Sequence, residues 1–69
     1  MGNHPLEHWR IAHEIKTKGA AALSLGMTPS QYGDIVSGRT EPSAARIREI
    51  VSRTDGEVSA EQLVMWKAA

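Results

Sequence analysis

Between residues 20 and 39 the chain reads AAALSLGMTPSQYGDIVSGR, and this stretch leaves the fold few choices. An alanine-rich run ends at Leu25-Gly26, where a residue without a Cβ lets the backbone reverse. Thr28-Pro29-Ser30-Gln31 follows at once. Thr28 suits an N-cap, Pro29 a first helical position, and Gln31 completes a capping box. The next helix closes at Ser37-Gly38, again on a glycine. The stretch predicts a helix over 20–25, a turn of about three to four residues, and a helix over 29–37. The rest of the chain reads as scaffold for that pair.

On the N-terminal side, residues 1–4 are expected to fray and Pro5 to open a first helix. Leu6, Trp9, Ala12 and Ile15 recur every third residue as one apolar stripe, which carries that helix to Lys18-Gly19. Ile11 lies off the stripe and is expected against a neighbouring helix. Ala21, Ala22 and Leu25 form the inner side of the second helix, small enough to let two backbones approach. In the third helix Tyr32, Ile35 and Val36 stand at i, i+3 and i+4 and face inward, with the Tyr32 hydroxyl reaching the surface. Its opposite face carries Ser30, Gly33, Asp34 and Ser37, with Gln31 at the edge. No core argument accounts for so small and polar a surface, and Gly33 costs a helix about 1 kcal/mol relative to alanine. Ser43 caps a fourth helix over 44–54, with Ile47, Ile50 and Val51 inward. Arg46 and Arg53 face outward there, at pairing distance in sequence from Glu49. After Asp55-Gly56, the run Ser59-Ala60-Glu61-Gln62 is a second capping box, with Val58 as its hydrophobic staple. It opens a fifth helix that carries Leu63, Val64 and Trp66 nearly to the C-terminus. The expectation is all-α: five short helices in one compact domain over 1–69.

Composition removes several function classes. A chain of 69 residues buries only about 60% of its unfolded surface and has room for one small core. Cysteine is absent, which excludes disulfides and thiolate metal sites and fits a reducing compartment. No apolar run approaches the roughly 20 residues of a membrane span and no signal-peptide pattern opens the chain, so a soluble cytoplasmic protein is expected. His4 and His8 have the i, i+4 spacing of a helical metal pair, with His13 further on. Pro5 interrupts that first turn and no third ligand is evident, so the histidines are read as solvated, with no metal and no cofactor. The serines are explained as caps and surface residues, the carboxylates are scattered among basic partners, and no pocket is evident. The chain is read as no enzyme. Formal net charge is zero. The basic residues Arg10, Lys16, Lys18, Arg39, Arg46, Arg48 and Arg53 outnumber the acidic ones up to residue 54, whereas Asp55, Glu57 and Glu61 face only Lys67 beyond it. That distribution permits a polyanionic partner without demanding one.

The layout, with the turn-joined pair as helices two and three, resembles the lambda-repressor-like helix-turn-helix domain and is most similar to small Cro-like and YdaS-like phage regulators. Leu25-Gly26-Met27-Thr28 and Ser37-Gly38-Arg39 match that family's run around its turn and after its reading helix. Arg53-Thr54-Asp55-Gly56-Glu57-Val58-Ser59 looks like its pattern between the last two helices, and the likeness covers about residues 10–64. It implies a sequence-specific transcriptional regulator, a Cro-like repressor of phage or prophage type, whose helix-turn-helix over about 20–38 binds an operator in double-stranded DNA. The third helix would enter the major groove, with Pro29, Ser30, Gln31, Gly33, Asp34 and Ser37 at the base edges. Lys18, Thr28, Arg39 and Arg46 would hold phosphates. The family also implies a homodimer on two half-sites roughly 34 Å apart. Met65 and Trp66 are then candidates for the contact between copies, the alternative being that Trp66 closes the core against Trp9. No small-molecule effector is implied. The family often has Gln, Asn, Lys or Arg where this chain has Pro29, Gly33 and Asp34. The rival expectation is therefore a protein-binding module of the same fold, an antitoxin-like partner with weak or no DNA binding.

Overall fold

Each helix begins where a side chain accepts a backbone N–H that the helix itself leaves unpaired. In a computed structural model that describes residues 4–66, these caps are His4, Thr17, Thr28, Ser43 and Ser59. They open α1 (Pro5–Ala12), α2 (Lys18–Ser24), α3 (Pro29–Val36), α4 (Ala44–Arg53) and α5 (Ala60–Met65). The two capping boxes expected at Thr28/Gln31 and Ser59/Gln62 are both formed. Among the described residues there is no strand, so the all-α, five-helix expectation holds. No helix among them is long and apolar enough to cross a membrane.

The first four helices also stop in one way. The residue after the C-cap turns to positive φ, its N–H reaches back to one carbonyl, and the next N–H reaches the carbonyl one residue before it, the Schellman pattern. After α2, Gly26 (φ 74) donates to the Leu23 carbonyl at 3.1 Å and Met27 to that of Ala22 at 3.0 Å. After α3, Gly38 (φ 82) and Arg39 do the same to Ile35 and Asp34. After α4 the turning residue is Asp55 (φ 53), followed by Gly56. After α1 it is Glu14 (φ 56), with Ile15 N–H donating to the Arg10 carbonyl at 3.0 Å.

This last turn corrects the reading of helix one. The apolar stripe suggested a helix to Lys18-Gly19, but the chain leaves helical geometry at His13. Arg10 secures the exit by donating from Nη1 to the Ile15 carbonyl at 2.8 Å. Ala12 is consequently exposed, Ile15 is half-buried in the connection, and Ile11 faces solvent instead of a neighbouring helix. Lys18, expected at the end of helix one, is instead the first residue of α2, behind its cap Thr17.

The core is formed by Leu6, Ala21, Ala22, Leu25, Met27, Tyr32, Ile35, Ile50, Val58 and Leu63, with Trp9, Ile15, Val36 and Ile47 packed against it. The inward faces expected for α2 and α3 are thus the ones observed; on α4 Ile47 and Ile50 pack inward, whereas Val51, expected with them, is half-buried and lies outside this cluster. On α5 only Leu63 is buried, and Val64, expected inward, is exposed. Trp66 does not meet Trp9. Its ring packs edge-on against His4, with centroids 4.6 Å apart, while Trp9 lies beside His13. The Trp66 indole Nε1 is buried without a hydrogen-bond partner among the described residues.

Two polar groups are more deeply placed than the sequence suggested. His4 is not a solvated residue of a frayed end. It is 2% exposed, and its Nδ1 accepts the Leu6 N–H at 3.0 Å. Burial pushes its pKa down from 6.5 to about 4, opposed by the nearby Glu7 carboxylate. The Tyr32 hydroxyl does not reach the surface. It donates to Glu7 Oε2 at 2.5 Å, and burial followed by that bond raises its pKa. Glu7 also accepts two bonds from Arg10, at 3.1 and 3.0 Å. Burial alone would raise the Glu7 pKa, but the bonds from Arg10 and Tyr32 outweigh it and hold the carboxyl below its ordinary value.

Three measurements check this account of the fold. Glu14→Gly removes the penalty of a side chain at positive φ and is expected to stabilise the domain by about 1 kcal/mol, read as a thermal midpoint some 4–8 °C higher. Tyr32→Phe leaves the Glu7–Arg10 pair intact and removes one buried hydrogen bond to a charged group. Chemical denaturation is expected to show a loss of about 1.5–3 kcal/mol. His4 must be neutral to accept the Leu6 N–H, and its folded pKa lies below the unfolded one. The unfolded chain therefore takes up the proton first, so its contribution is full above about pH 6.5 and is lost as pH falls toward 4. The thermal midpoint should drop over that window by about 5 °C or more, and more steeply than in His4→Asn, which keeps a capping side chain that does not titrate.

Candidate nucleic-acid interface

The geometry of the α2–α3 pair follows from its smallest residues. Ala21 and Ala22 are fully buried, so α2 lies close to α3 with no bulky side chain between them. Gly26 makes the turn, and a larger residue there is strained by its backbone and displaces the Arg53 guanidinium. A Cβ there would stand 2.9 Å from Arg53 Nη2 and on a backbone of positive φ. Met27 then drops into the core, and Thr28 restarts the helix.

α3 is fixed from inside by Tyr32 and Ile35, which sends its other face outward. Pro29, Ser30, Gln31 and Ser37 are exposed, and Gly33 and Asp34 are half-buried. All six positions expected at base edges therefore lie on this helix and its C-cap, with solvent access. Ser37 Oγ donates to the Asp34 carbonyl at 3.2 Å. A Cβ built on Gly33 meets nothing within 4 Å beyond its chain neighbours and the backbone of its own helix. Nothing inside the domain requires glycine there.

The four positions expected at phosphates flank this face differently. Lys18 stands exposed in the first turn of α2. Thr28 caps α3, its Oγ1 accepting the Gln31 N–H at 3.1 Å. Arg39 is exposed just beyond the Gly38 turn, with Nη1 3.9 Å from the Asp34 carboxylate. Arg46 is half-buried and turned inward, its Nη1 donating to the Gly26 carbonyl at 3.3 Å. It does not pair with Glu49, which binds Arg53 Nε at 2.7 Å instead. Arg46 thus braces the turn between α2 and α3 from α4, and the Arg53 guanidinium lies over Gly26. The sequence reading placed neither there, because only the fold brings Gly26 to them. Thr17 was also missed, since no Glu or Gln follows it at the capping-box position.

Elsewhere several charged groups pair locally. Arg10 is spent on Glu7 and Arg53 on Glu49. His13 Nε2 lies 2.7 Å from Glu57 Oε1, joining α1 to the α4–α5 connection. Among the described residues no three His, Asp or Glu side chains converge on a point. A cleft of about 290 Å³, which the sequence reading did not anticipate, opens between α5 and the loop leaving α3. His4, Ile35, Pro42, Ile47, Leu63 and Trp66 are among its walls.

Residues 9–60 match the family model described as Helix-turn-helix. The match spans the end of α1, the whole of α2, α3 and α4, and the start of α5. No curated protein matches the chain, and no solved structure does.

Proposed function

The chain belongs to the lambda-repressor-like helix-turn-helix family of DNA-binding regulatory domains, and from that premise we propose that it is a sequence-specific transcriptional regulator of the Cro-like repressor type. The observation that carries this reading is α3. It holds an inward face of Tyr32 and Ile35 and an outward face of small polar groups whose only partners lie on α3 and its two ends. Gly33 adds to it, with open space where a side chain would project, at a position where a helix disfavours glycine. Such a face enters a major groove about 12 Å wide without obstruction. Ser30 and Gln31 supply hydrogen-bonding groups, and Asp34 accepts from a cytosine amino group. Pro29, Gly33 and Ser37 let the backbone come near. Lys18 and Arg39, exposed on either side, hold phosphates, and Thr28 and Arg46 assist from the turn.

The operator would be read by a homodimer. Val64 and Met65, 61% and 68% exposed, leave an apolar surface on α5 beside Trp66. A body of 25 × 24 × 21 Å suits two copies spanning one turn of DNA, about 34 Å. Occupation of the operator would exclude polymerase, in a cytoplasmic setting.

Selection from random duplex DNA, followed by a salt series on the enriched site, tests the proposal. A palindrome with half-sites one turn apart is expected, bound more weakly as salt rises. Lys18→Ala and Arg39→Ala should each weaken binding at all sequences alike and reduce the salt slope by about one. No enrichment at low salt would overturn the proposal in favour of a protein-binding module of this fold.

A further inference from the structure

At the start of α3 the hydrogen-bonding atoms are sorted by direction. Gln31 Oε1 accepts the Thr28 N–H at 2.9 Å, and Thr28 Oγ1 accepts the Gln31 N–H at 3.1 Å. Both partners are N–H groups, so the side-chain amide has only one arrangement: its oxygen faces the backbone and its NH2 is left over. The Thr28 hydroxyl proton is left over in the same way. Both residues are exposed. The capping box therefore turns its acceptors toward the protein and its donors toward whatever α3 approaches.

That asymmetry has a chemical consequence for base reading. Guanine offers O6 and N7 in the major groove and thymine offers O4, all acceptors. Glutamine reads adenine bidentately only with its oxygen and nitrogen side by side, one accepting from N6 and one donating to N7; an NH2 alone keeps at most the N7 bond and stands against the N6 donor. Here the oxygen is held on the backbone of Thr28. Resting on the regulator reading above, we infer that Gln31 is a specificity-determining residue that donates only, selecting guanine or thymine and not adenine, while the Thr28 hydroxyl donates to a phosphate. The same sorting supplies attraction to a polyanion from neutral groups, in a chain whose formal net charge is zero.

The test is duplex selection with the unmodified protein and three variants. Gln31→Glu keeps an acceptor for the Thr28 N–H, so the box survives, but removes the outward donors. Gln31→Lys breaks the box and keeps donors. Gln62→Glu makes the same change as the first variant in the box that opens α5, away from α3. The expected motif holds guanine or thymine at one position of each half-site. That preference is retained by Gln31→Lys and by Gln62→Glu. It is lost in Gln31→Glu, with affinity for the original site reduced about tenfold and a thermal midpoint within about 2 °C of the unmodified protein. Adenine at the position that Gln31 variants alter, or a motif unchanged in Gln31→Glu, overturns the inference and leaves the regulator reading standing. No motif from the unmodified protein overturns that reading and this inference with it.

Discussion

The carboxylate of Glu7 holds three parts of the molecule at once. It accepts two bonds from Arg10 within α1 and one from Tyr32 on α3, and Arg10 passes on to the carbonyls of the α1–α2 connection. A chain with no phenylalanine and a core of mostly aliphatic side chains has little shape by which to fix a helix in rotation. Apolar contacts are non-directional, whereas hydrogen bonds to a charged group set angle as well as distance. The rotation of α3 about its own axis, and hence which residues face outward, depends on this arrangement. Its parts are interdependent: without the carboxylate, the guanidinium keeps only the carbonyls of the connection and the buried tyrosine hydroxyl only the longer bond to the Leu6 carbonyl, at 3.4 Å.

Capping does for the helices what Glu7 does for their assembly. None of the five exceeds ten residues, short enough that helices of this length are unstable by themselves in water. A large fraction of each one's backbone groups belongs to an end. Here those ends are satisfied by side chains at every start and by paired backbone turns after the first four. Thr54 extends the logic into the last connection. Its hydroxyl donates to the Ile50 carbonyl and accepts the Val58 N–H, so a buried polar side chain seats the valine that leads into α5.

What the sequence made legible follows from this chemistry. Thr28/Gln31, Ser59/Gln62, Gly26 and Gly38 carry residue types that only a few backbone conformations favour, and the elements they bound appear where expected. The end of α1 was not legible, because Glu14 occupies a left-handed position where no glycine announces it. His4 was misread for a similar reason: histidine is an uncommon N-cap, and only burial under Trp66 gives its Nδ1 that task. At the interface, the outward face of α3 could be read from periodicity, since the inward residues identify it by exclusion. The inward turn of Arg46 could not. It depends on a carbonyl twenty residues away in sequence, and a cation's partner is set by tertiary geometry that spacing does not encode.

Gly33 has a consequence of another kind. Because nothing beyond the adjacent backbone of α3 lies near the site of its missing side chain, a residue introduced there adds to the outward surface without disturbing the interior, and almost any replacement also favours the helix. In most small proteins a change of recognition is set against a loss of folding stability. At this position the two are uncoupled. If α3 is the helix that reads DNA, as proposed, Gly33 is an unused letter in it, and descendants could acquire new targets through single substitutions there while the scaffold stays unchanged.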